Sequence, residues 1–203
     1  MRDLVRETYY QDRAAVYDAT SYRGDPAVNA ALDRETAEIG GLLRAASGGR
    51  VLDVGCGTGV WTQFLRGDIV ALDQSTEMLV LARDRVPHAG LVHALFPPLP
   101  FAAEAFDILF TGNFYGLLRE AERRVFLAEA GRVARELIVL DLRSDHDAPM
   151  EGIELRSIGN GATYPIFRRR FTPEGLRAEL NGELLYPGRY FLVTRTKAED
   201  LPE

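Results

Sequence analysis

A glycine-rich turn placed directly after an apolar run constrains the fold of this chain more than any other feature. Residues 51–54 have the pattern of a short buried strand, and Gly55, Gly57 and Gly59 alternate with small residues behind it. Because glycine has no Cβ, a ligand can approach the main chain of such a turn closely, including the backbone of Cys56. Open α/β sheets bind ligands at the carboxyl ends of their strands. The turn therefore predicts a ligand site at the end of a first strand.

Two aspartates near this turn indicate the kind of ligand. Asp73 ends the apolar run 69–72, at the spacing of roughly 20 residues where a carboxylate accepts the hydroxyls of a ribose. The dinucleotide fingerprint has a third glycine where this chain has Val60, and its turn faces a pyrophosphate. Asp53 precedes Gly55 and would repel a pyrophosphate but attract an ammonium group. The pattern favours a nucleoside with an ammonium group, and a nicotinamide-dependent oxidoreductase is the less favoured alternative.

At these residues the chain resembles the class I S-adenosylmethionine-dependent methyltransferases. The first motif of that family is similar to residues 51–59, the second to residues 71–79, and the third to residues 99–101 followed by 106–110. The resemblance covers residues 50–142 well and the remainder loosely. It implies S-adenosylmethionine as cofactor and S-adenosylhomocysteine as product.

The resemblance also implies which residues contact the cofactor. An acid often stands four residues before the Leu-Pro pair of the third motif, but this chain has Leu95 there, so adenine would be held by backbone and apolar contacts. Met78 is expected either to pack on adenine or to belong to the core, and Asn113 either to face the methionine moiety or to be an ordinary turn residue. The predicted cofactor-binding residues are Tyr17, Asp53, Gly55, Cys56, Gly57, Gly59, Asp73, Gln74, Met78, Leu95, Phe96 and Asn113.

Strand and helix patterns alternate after residue 50, which favours a parallel sheet with helices on both faces. Turn residues at 187–188 predict an antiparallel hairpin that closes this sheet, and those at 159–161 predict a second hairpin. The predicted fold is α/β, with a doubly wound, mostly parallel seven-stranded sheet and an antiparallel C-terminal hairpin. The predicted strands are 50–54, 69–72, 91–95, 106–111, 137–142, 153–158, 163–171, 183–186 and 189–196. The predicted helices are 26–46, 59–66, 75–85, 119–134 and 173–180.

Composition limits the partners and the compartment. The chain has 203 residues, a formal net charge of −6 and one cysteine. This length fits a single domain, the acidic balance disfavours a nucleic acid partner, and one cysteine suits a reducing compartment. We expect a cytoplasmic protein without a signal peptide, membrane span or metal site, either a monomer or a homodimer.

Segments outside the alternating pattern are expected to bind the methyl acceptor. Residues 1–46 would form a lid within the single domain 1–203, and Tyr17 would lie over the cofactor. The tyrosines of this segment could equally pack a helix on the sheet. Residues 143–171 would form a substrate cap, on which His146 is the candidate general base. The aromatic residues expected near the acceptor are Tyr9, Tyr10, Tyr22, Tyr115, Tyr164 and Phe167.

The function that the resemblance implies is methyl transfer from S-adenosylmethionine to a small, aromatic or apolar molecule by in-line displacement. A phosphate-bearing sugar is a less favoured acceptor, because the segments around the site are rich in tyrosine and phenylalanine. Because Leu95 stands where the family often has an acid, a different class of function remains an alternative. The protein would then be a non-catalytic relative that binds S-adenosylmethionine as a sensor or scaffold.

Overall fold

The computed structural model describes residues 4–20, 25–144, 150–158 and 161–202. Its main sheet has seven strands in the order β3-β2-β1-β4-β5-β9-β8, and β6 and β7 form a separate two-stranded sheet. The strands are β1 Arg50–Val54, β2 Asp68–Asp73, β3 Gly90–His93, β4 Phe106–Gly112, β5 Ala134–Leu142, β6 Met150–Ser157, β7 Thr163–Arg170, β8 Glu183–Pro187 and β9 Phe191–Lys197. The first five strands are parallel, and β9 pairs antiparallel with both β5 and β8. The predicted fold class is confirmed.

The helices begin where the sequence places capping residues. The side chains of Asp25, Ser75 and Thr172 accept hydrogen bonds from backbone amides at the starts of the third, fourth and sixth helices. The helices are α1 Leu4–Arg13, α2 Tyr17–Thr20, α3 Pro26–Ala46, α4 Thr76–Arg85, α5 Glu120–Val133 and α6 Pro173–Leu180. No helix of these described segments is long and apolar enough to cross a membrane.

The central strands are buried on both faces, as expected for a doubly wound sheet. Leu52 and Leu109 belong to the apolar layer under α5 and α6, whereas Val51 and Phe110 belong to the layer under α3. The predicted helix 59–66 between β1 and β2 is wrong, because this connection contains only a short 3₁₀ turn at Thr62–Phe64. Gly59 has φ +80°, in the left-handed region, so the predicted helix cannot start there, and the backbone turns again at Gly67 with φ +110°.

A buried ion pair fixes the β6–β7 hairpin to the main sheet. Arg168 on β7 donates to Asp141 on β5 across 2.9 Å, and both side chains are almost fully buried. Arg143 and Phe171 form a parallel bridge at the base of the hairpin. The predicted turn at 159–161 lies mostly outside the described residues. The hairpin therefore stands above the carboxyl ends of the strands and is attached at its base.

Candidate functional site

Two adjoining clefts open at the carboxyl ends of the parallel strands, around the glycine turn. The main cleft is lined by Asp73, by the turn, and by Phe114 and Leu117. The side cleft lies between the turn and helix α3, where Trp61 and Val60 occupy the short β1–β2 connection. The residues that line both clefts are Tyr17, Gly55, Gly57, Gly112 and Asn113.

The three glycines of the turn have different surroundings. A Cβ on Gly57 would meet no atom within 4 Å, so its bare face is open to the clefts. A Cβ on Gly55 would lie 2.8 Å from the Phe114 ring, and one on Gly59 would press on Val86 at 3.3 Å. Burial raises the pKa of the neighbouring Cys56 thiol, so this residue contributes no thiolate at neutral pH. Of the three glycines of the turn, only Gly57 leaves its main chain accessible to a ligand.

Asp73 connects β2 to the turn. Its Oδ2 accepts a hydrogen bond from the Gly57 amide at 2.8 Å, and its Oδ1 accepts one from the Ser75 amide at 2.9 Å. Burial raises the pKa of Asp73, while these two backbone donors act in the opposite direction. Each carboxylate oxygen has a further lone pair, so the group can also accept hydrogen bonds from a ligand in the main cleft.

Two buried oxygen atoms near the turn have no hydrogen-bond partner among the described residues. One is Oδ1 of Asp53, which lies beneath the turn and outside both clefts; its other oxygen accepts from the Thr62 hydroxyl at 2.6 Å. The other is Oδ1 of Asn113, a residue with φ +60° that lines both clefts. Burial raises the pKa of Asp53 to about 7. Unsatisfied buried acceptors are costly, and a donor bound in the clefts would relieve that cost for the Asn113 oxygen.

The part of the main cleft beside Asp73 is mostly apolar. Gln74, Met78, Ala94 and Phe96 line it. Met78 is also buried in the core, as one of the two expectations has it, and its packing on adenine stays a prediction. The Leu95 side chain is 39% exposed and does not line the cleft.

The N-terminal segment closes one side of both clefts. Tyr17 lines both, and the guanidinium carbon of Arg13 lies 4.8 Å from the centre of its ring. Asp18 accepts hydrogen bonds from the Thr58 hydroxyl at 2.7 Å and from Arg85 at 2.5 Å, and Arg85 also donates to the Thr58 carbonyl at 2.7 Å. This cluster, which the sequence reading missed, joins helix α2 to the glycine turn and to the end of α4.

The expected acceptor residues are only partly brought together. Tyr10 lines the main cleft, but Tyr9 is buried against Tyr164, and the Tyr164 hydroxyl donates to Asp12. Tyr115 is a core residue that packs on Phe171 and Phe126, because the short 3₁₀ turn at Tyr115–Leu117 directs it into the sheet. Phe167 packs against Arg119. His146 and Tyr22 lie outside the described residues.

A methyltransferase-domain family model matches residues 51–136. The O-methyltransferase rstn1 of Aspergillus nomiae is 32% identical over 155 residues, which cover 68% of this chain and 68% of that relative. The chain belongs to the class I S-adenosylmethionine-dependent methyltransferases. This family assignment confirms the recognition made from the motifs and disfavours the nicotinamide alternative.

Further comparisons extend the similarity beyond the cofactor motifs. The O-methyltransferase cnsE of Penicillium expansum is 35% identical over 130 residues, 58% of this chain, and the chain spans about half of that relative, 46% of its length. The solved structure described as a DhpI-SAM-HEP complex superposes with a TM-score of 0.74 at 22% identity and covers 95% of both chains. The chain therefore shares its fold with DhpI over almost its whole length.

Proposed function

We propose that this protein transfers the methyl group of S-adenosylmethionine to a small, aromatic or apolar acceptor by in-line displacement. The observation that carries the proposal is the continuity of the main cleft. One cleft brings together the carboxylate of Asp73, the bare main chain of Gly57, the unpartnered oxygen of Asn113, and an aromatic wall with Tyr10 and Phe114.

The residues present fit this cofactor. Asp73 would accept the ribose hydroxyls, and the cleft end at Met78 and Phe96 would hold adenine by apolar contact. Asn113 would receive the ammonium group, and Asp53, which lies outside both clefts, would reach it through water; the unpartnered oxygen of Asn113 among the described residues supports this placement. When bound, the cofactor supplies a methyl group on a positively charged sulfur. The thioether is a good leaving group, so its departure needs neither an acid nor a metal.

The N-terminal segment would act as a lid, and the hairpin with its flanking residues 143–171 would act as a substrate cap in the same domain. Tyr17 stands at the border of both clefts, and Asp18 ties helix α2 to Thr58 of the turn. Closure there would exclude water and hold the acceptor at roughly 3–3.5 Å from the methyl carbon, which accounts for much of the rate enhancement in such reactions. His146 stays a candidate base for acceptors that arrive protonated.

A non-catalytic S-adenosylmethionine-binding protein is the second candidate, favoured by the exposed Leu95 where an adenine-binding acid often stands. In either case we infer small-molecule ligands and a cytoplasmic location, which the single buried cysteine suits. Release of S-adenosylhomocysteine in the presence of aromatic acceptors separates the two candidates, because a sensor would bind the cofactor without turnover.

Thermal unfolding with added ligands tests the cofactor assignment. A ligand at a hundred times its Kd stabilises the native state by about 2.7 kcal/mol, so S-adenosylmethionine and S-adenosylhomocysteine should each raise Tm by several degrees. NAD is the matched control and should leave Tm unchanged. No stabilisation by either sulfur ligand, or a larger one by NAD, would contradict the proposal.

A further inference from the structure

The segment 113–117, between β4 and α5, supplies Asn113, Phe114 and Leu117 to the lining of the main cleft. Asn113 has φ +60°, a left-handed backbone conformation that is strained in any residue other than glycine. Its Oδ1 is buried and accepts no hydrogen bond from the described residues. A strained residue with an unused acceptor at the border of two clefts persists only where its surroundings hold it in place.

The contact that holds the Asn113 carbonyl comes from the β6–β7 hairpin. Nη1 of Arg168 donates to this carbonyl at 2.8 Å, while Nη2 of the same guanidinium donates to Asp141. On the other side, the backbone N–H of Asn113 donates to the Leu140 carbonyl on β5 at 2.8 Å. The peptide groups before and after the Asn113 Cα are therefore both fixed, and this sets the direction in which the side chain leaves the backbone.

The rest of the segment 113–117 is also held from outside. Oδ2 of Asp141 accepts a hydrogen bond from the backbone N–H of Gly116 at 2.7 Å, and a Cβ on Gly116 would lie 2.5 Å from a carbonyl oxygen of β7. Arg6 on α1, which lines the main cleft, donates to the Leu117 carbonyl at 3.0 Å. Neither Arg168 nor Asp141 is among the described residues that line the clefts, so both act on the site through this segment.

We propose that Arg168 is a positioning residue for the cofactor, because it holds Asn113 in the conformation in which the side-chain oxygen receives the ammonium group. This role rests on the proposed methyl-transfer function and assigns part of cofactor recognition to the hairpin. Arginine suits the role because one planar guanidinium donates in two fixed directions, which the single ammonium group of lysine does not reproduce. The contact with Asp141 anchors the hairpin, and the contact with the Asn113 carbonyl acts on the cofactor.

Two ligands that differ only in the ammonium group measure this role. They are S-adenosylhomocysteine and its analogue without the amino group, and calorimetry on the full chain gives the ratio of their Kd values. The wild-type protein should bind S-adenosylhomocysteine at least roughly ten-fold more tightly than the analogue, as expected for a hydrogen bond from a charged donor. Asn113→Gly removes the side chain but accepts φ +60°, so it should lose most of this preference with little change in Tm.

Substitution of Arg168 should lower the same preference. Arg168→Lys keeps the charge that pairs with Asp141 but loses the two fixed donor directions, so the preference should fall several-fold. Adding Arg168→Lys to Asn113→Gly should lower the preference no further, because Arg168 acts through the Asn113 side chain. Arg170→Lys is the matched control on the same strand. Arg170 pairs with Glu154 inside the hairpin, and its variant should keep the wild-type preference.

A second variant keeps the test decisive if Arg168→Lys does not fold. Arg168→Met combined with Asp141→Asn removes both buried charges together, so that neither is left unpaired. Asparagine at this position also keeps an oxygen for the backbone N–H of Gly116. This double variant should lose the preference for S-adenosylhomocysteine over the analogue as well.

An unchanged preference in the Arg168 variants would overturn the inference. This holds even if both ligands bind more weakly and Tm falls, because equal weakening of the two ligands is what a purely structural role produces. Binding of S-adenosylhomocysteine without preference in the wild-type protein, or a full preference in Asn113→Gly, would overturn the inference and leave the proposed function standing. Absence of S-adenosylhomocysteine binding by the folded wild-type protein would overturn both.

Discussion

Replacing Asp53 with asparagine tests how the protein accommodates the buried carboxyl beneath its glycine turn. Burial raises the pKa of Asp53 from an ordinary 3.8 to about 7, and the charge of Asp73 adds to this, while the Thr62 hydroxyl opposes it. At about 1.4 kcal/mol for each pH unit, the difference corresponds to about 4 kcal/mol of unfolding free energy. The folded protein keeps a proton that the unfolded chain loses, so this stability is fully present below pH 3.8 and is lost as the pH rises through 7.

Urea unfolding at pH 4 and pH 8 measures this effect. The unfolding free energy of Asp53→Asn relative to wild type should be near zero at pH 4 and should favour the variant by as much as about 4 kcal/mol at pH 8. Asparagine keeps an oxygen for the Thr62 hydroxyl, so the comparison isolates the charge. Asp68→Asn, which removes a carboxylate at an exposed site on β2, is the matched control measured at both pH values. An equal difference at both pH values would refute the reasoning.

Ligand binding provides an independent measurement of the protonation of Asp53. If Asp53 receives the ammonium group of the cofactor, the nearby positive charge lowers its pKa, and binding at pH 6 should release a proton. Calorimetry in buffers of different ionisation enthalpy measures that proton. Asp53→Asn should release none and should bind the cofactor more weakly.

The remaining predictions concern the ribose contact and the lid. Asp73→Ala should weaken S-adenosylhomocysteine binding by at least roughly ten-fold, since hydrogen bonds to a charged group are worth about 1.5–3 kcal/mol each; an unchanged Kd would show that Asp73 does not hold the ribose. Asp18→Asn removes the charge that ties α2 to Arg85 and should weaken cofactor binding several-fold with little change in Tm, because part-exposed ion pairs contribute at most about 1 kcal/mol. Glu120→Gln breaks an exposed pair elsewhere and should change neither quantity; a loss of Tm without loss of affinity in Asp18→Asn would end the lid hypothesis.

Local signals made most of the sheet predictable. The run before Gly55 is apolar and short, the caps at Asp25 and Ser75 mark helix starts, and Asp73 ends its strand. The incorrect helix 59–66 shows what hydrophobic periodicity cannot predict. The spacing of Trp61 and Leu65 suits a helix, but that spacing does not reveal the positive φ of Gly59. Trp61 and Leu65 are nevertheless both buried, although the segment that holds them is a turn and not a helix.

The missed site residues depend on contacts that are distant in sequence. Arg6 reaches Leu117 over 111 residues, and Asp18 reaches Arg85 over 67 residues, so no spacing along the chain could indicate either pair. Tyr115 was misplaced for a related reason. An aromatic residue after a strand end predicts a ligand contact, but the 3₁₀ turn at Tyr115–Leu117 rotates this side chain into the core.

The buried Arg168–Asp141 pair determines which part of the β6–β7 hairpin could be exchanged with that of a relative. Arg168 also donates to the carbonyl of Asn113 at 2.8 Å, so the base of the hairpin and the floor of the clefts form one unit. Leu155, near the hairpin tip, is 75% exposed and bears no such constraint. Removing one partner of a buried ion pair typically destabilises by about 3–5 kcal/mol. If the hairpin forms the proposed substrate cap, recombination that keeps both partners and replaces only the outer hairpin would change the acceptor surface and leave the cofactor site intact.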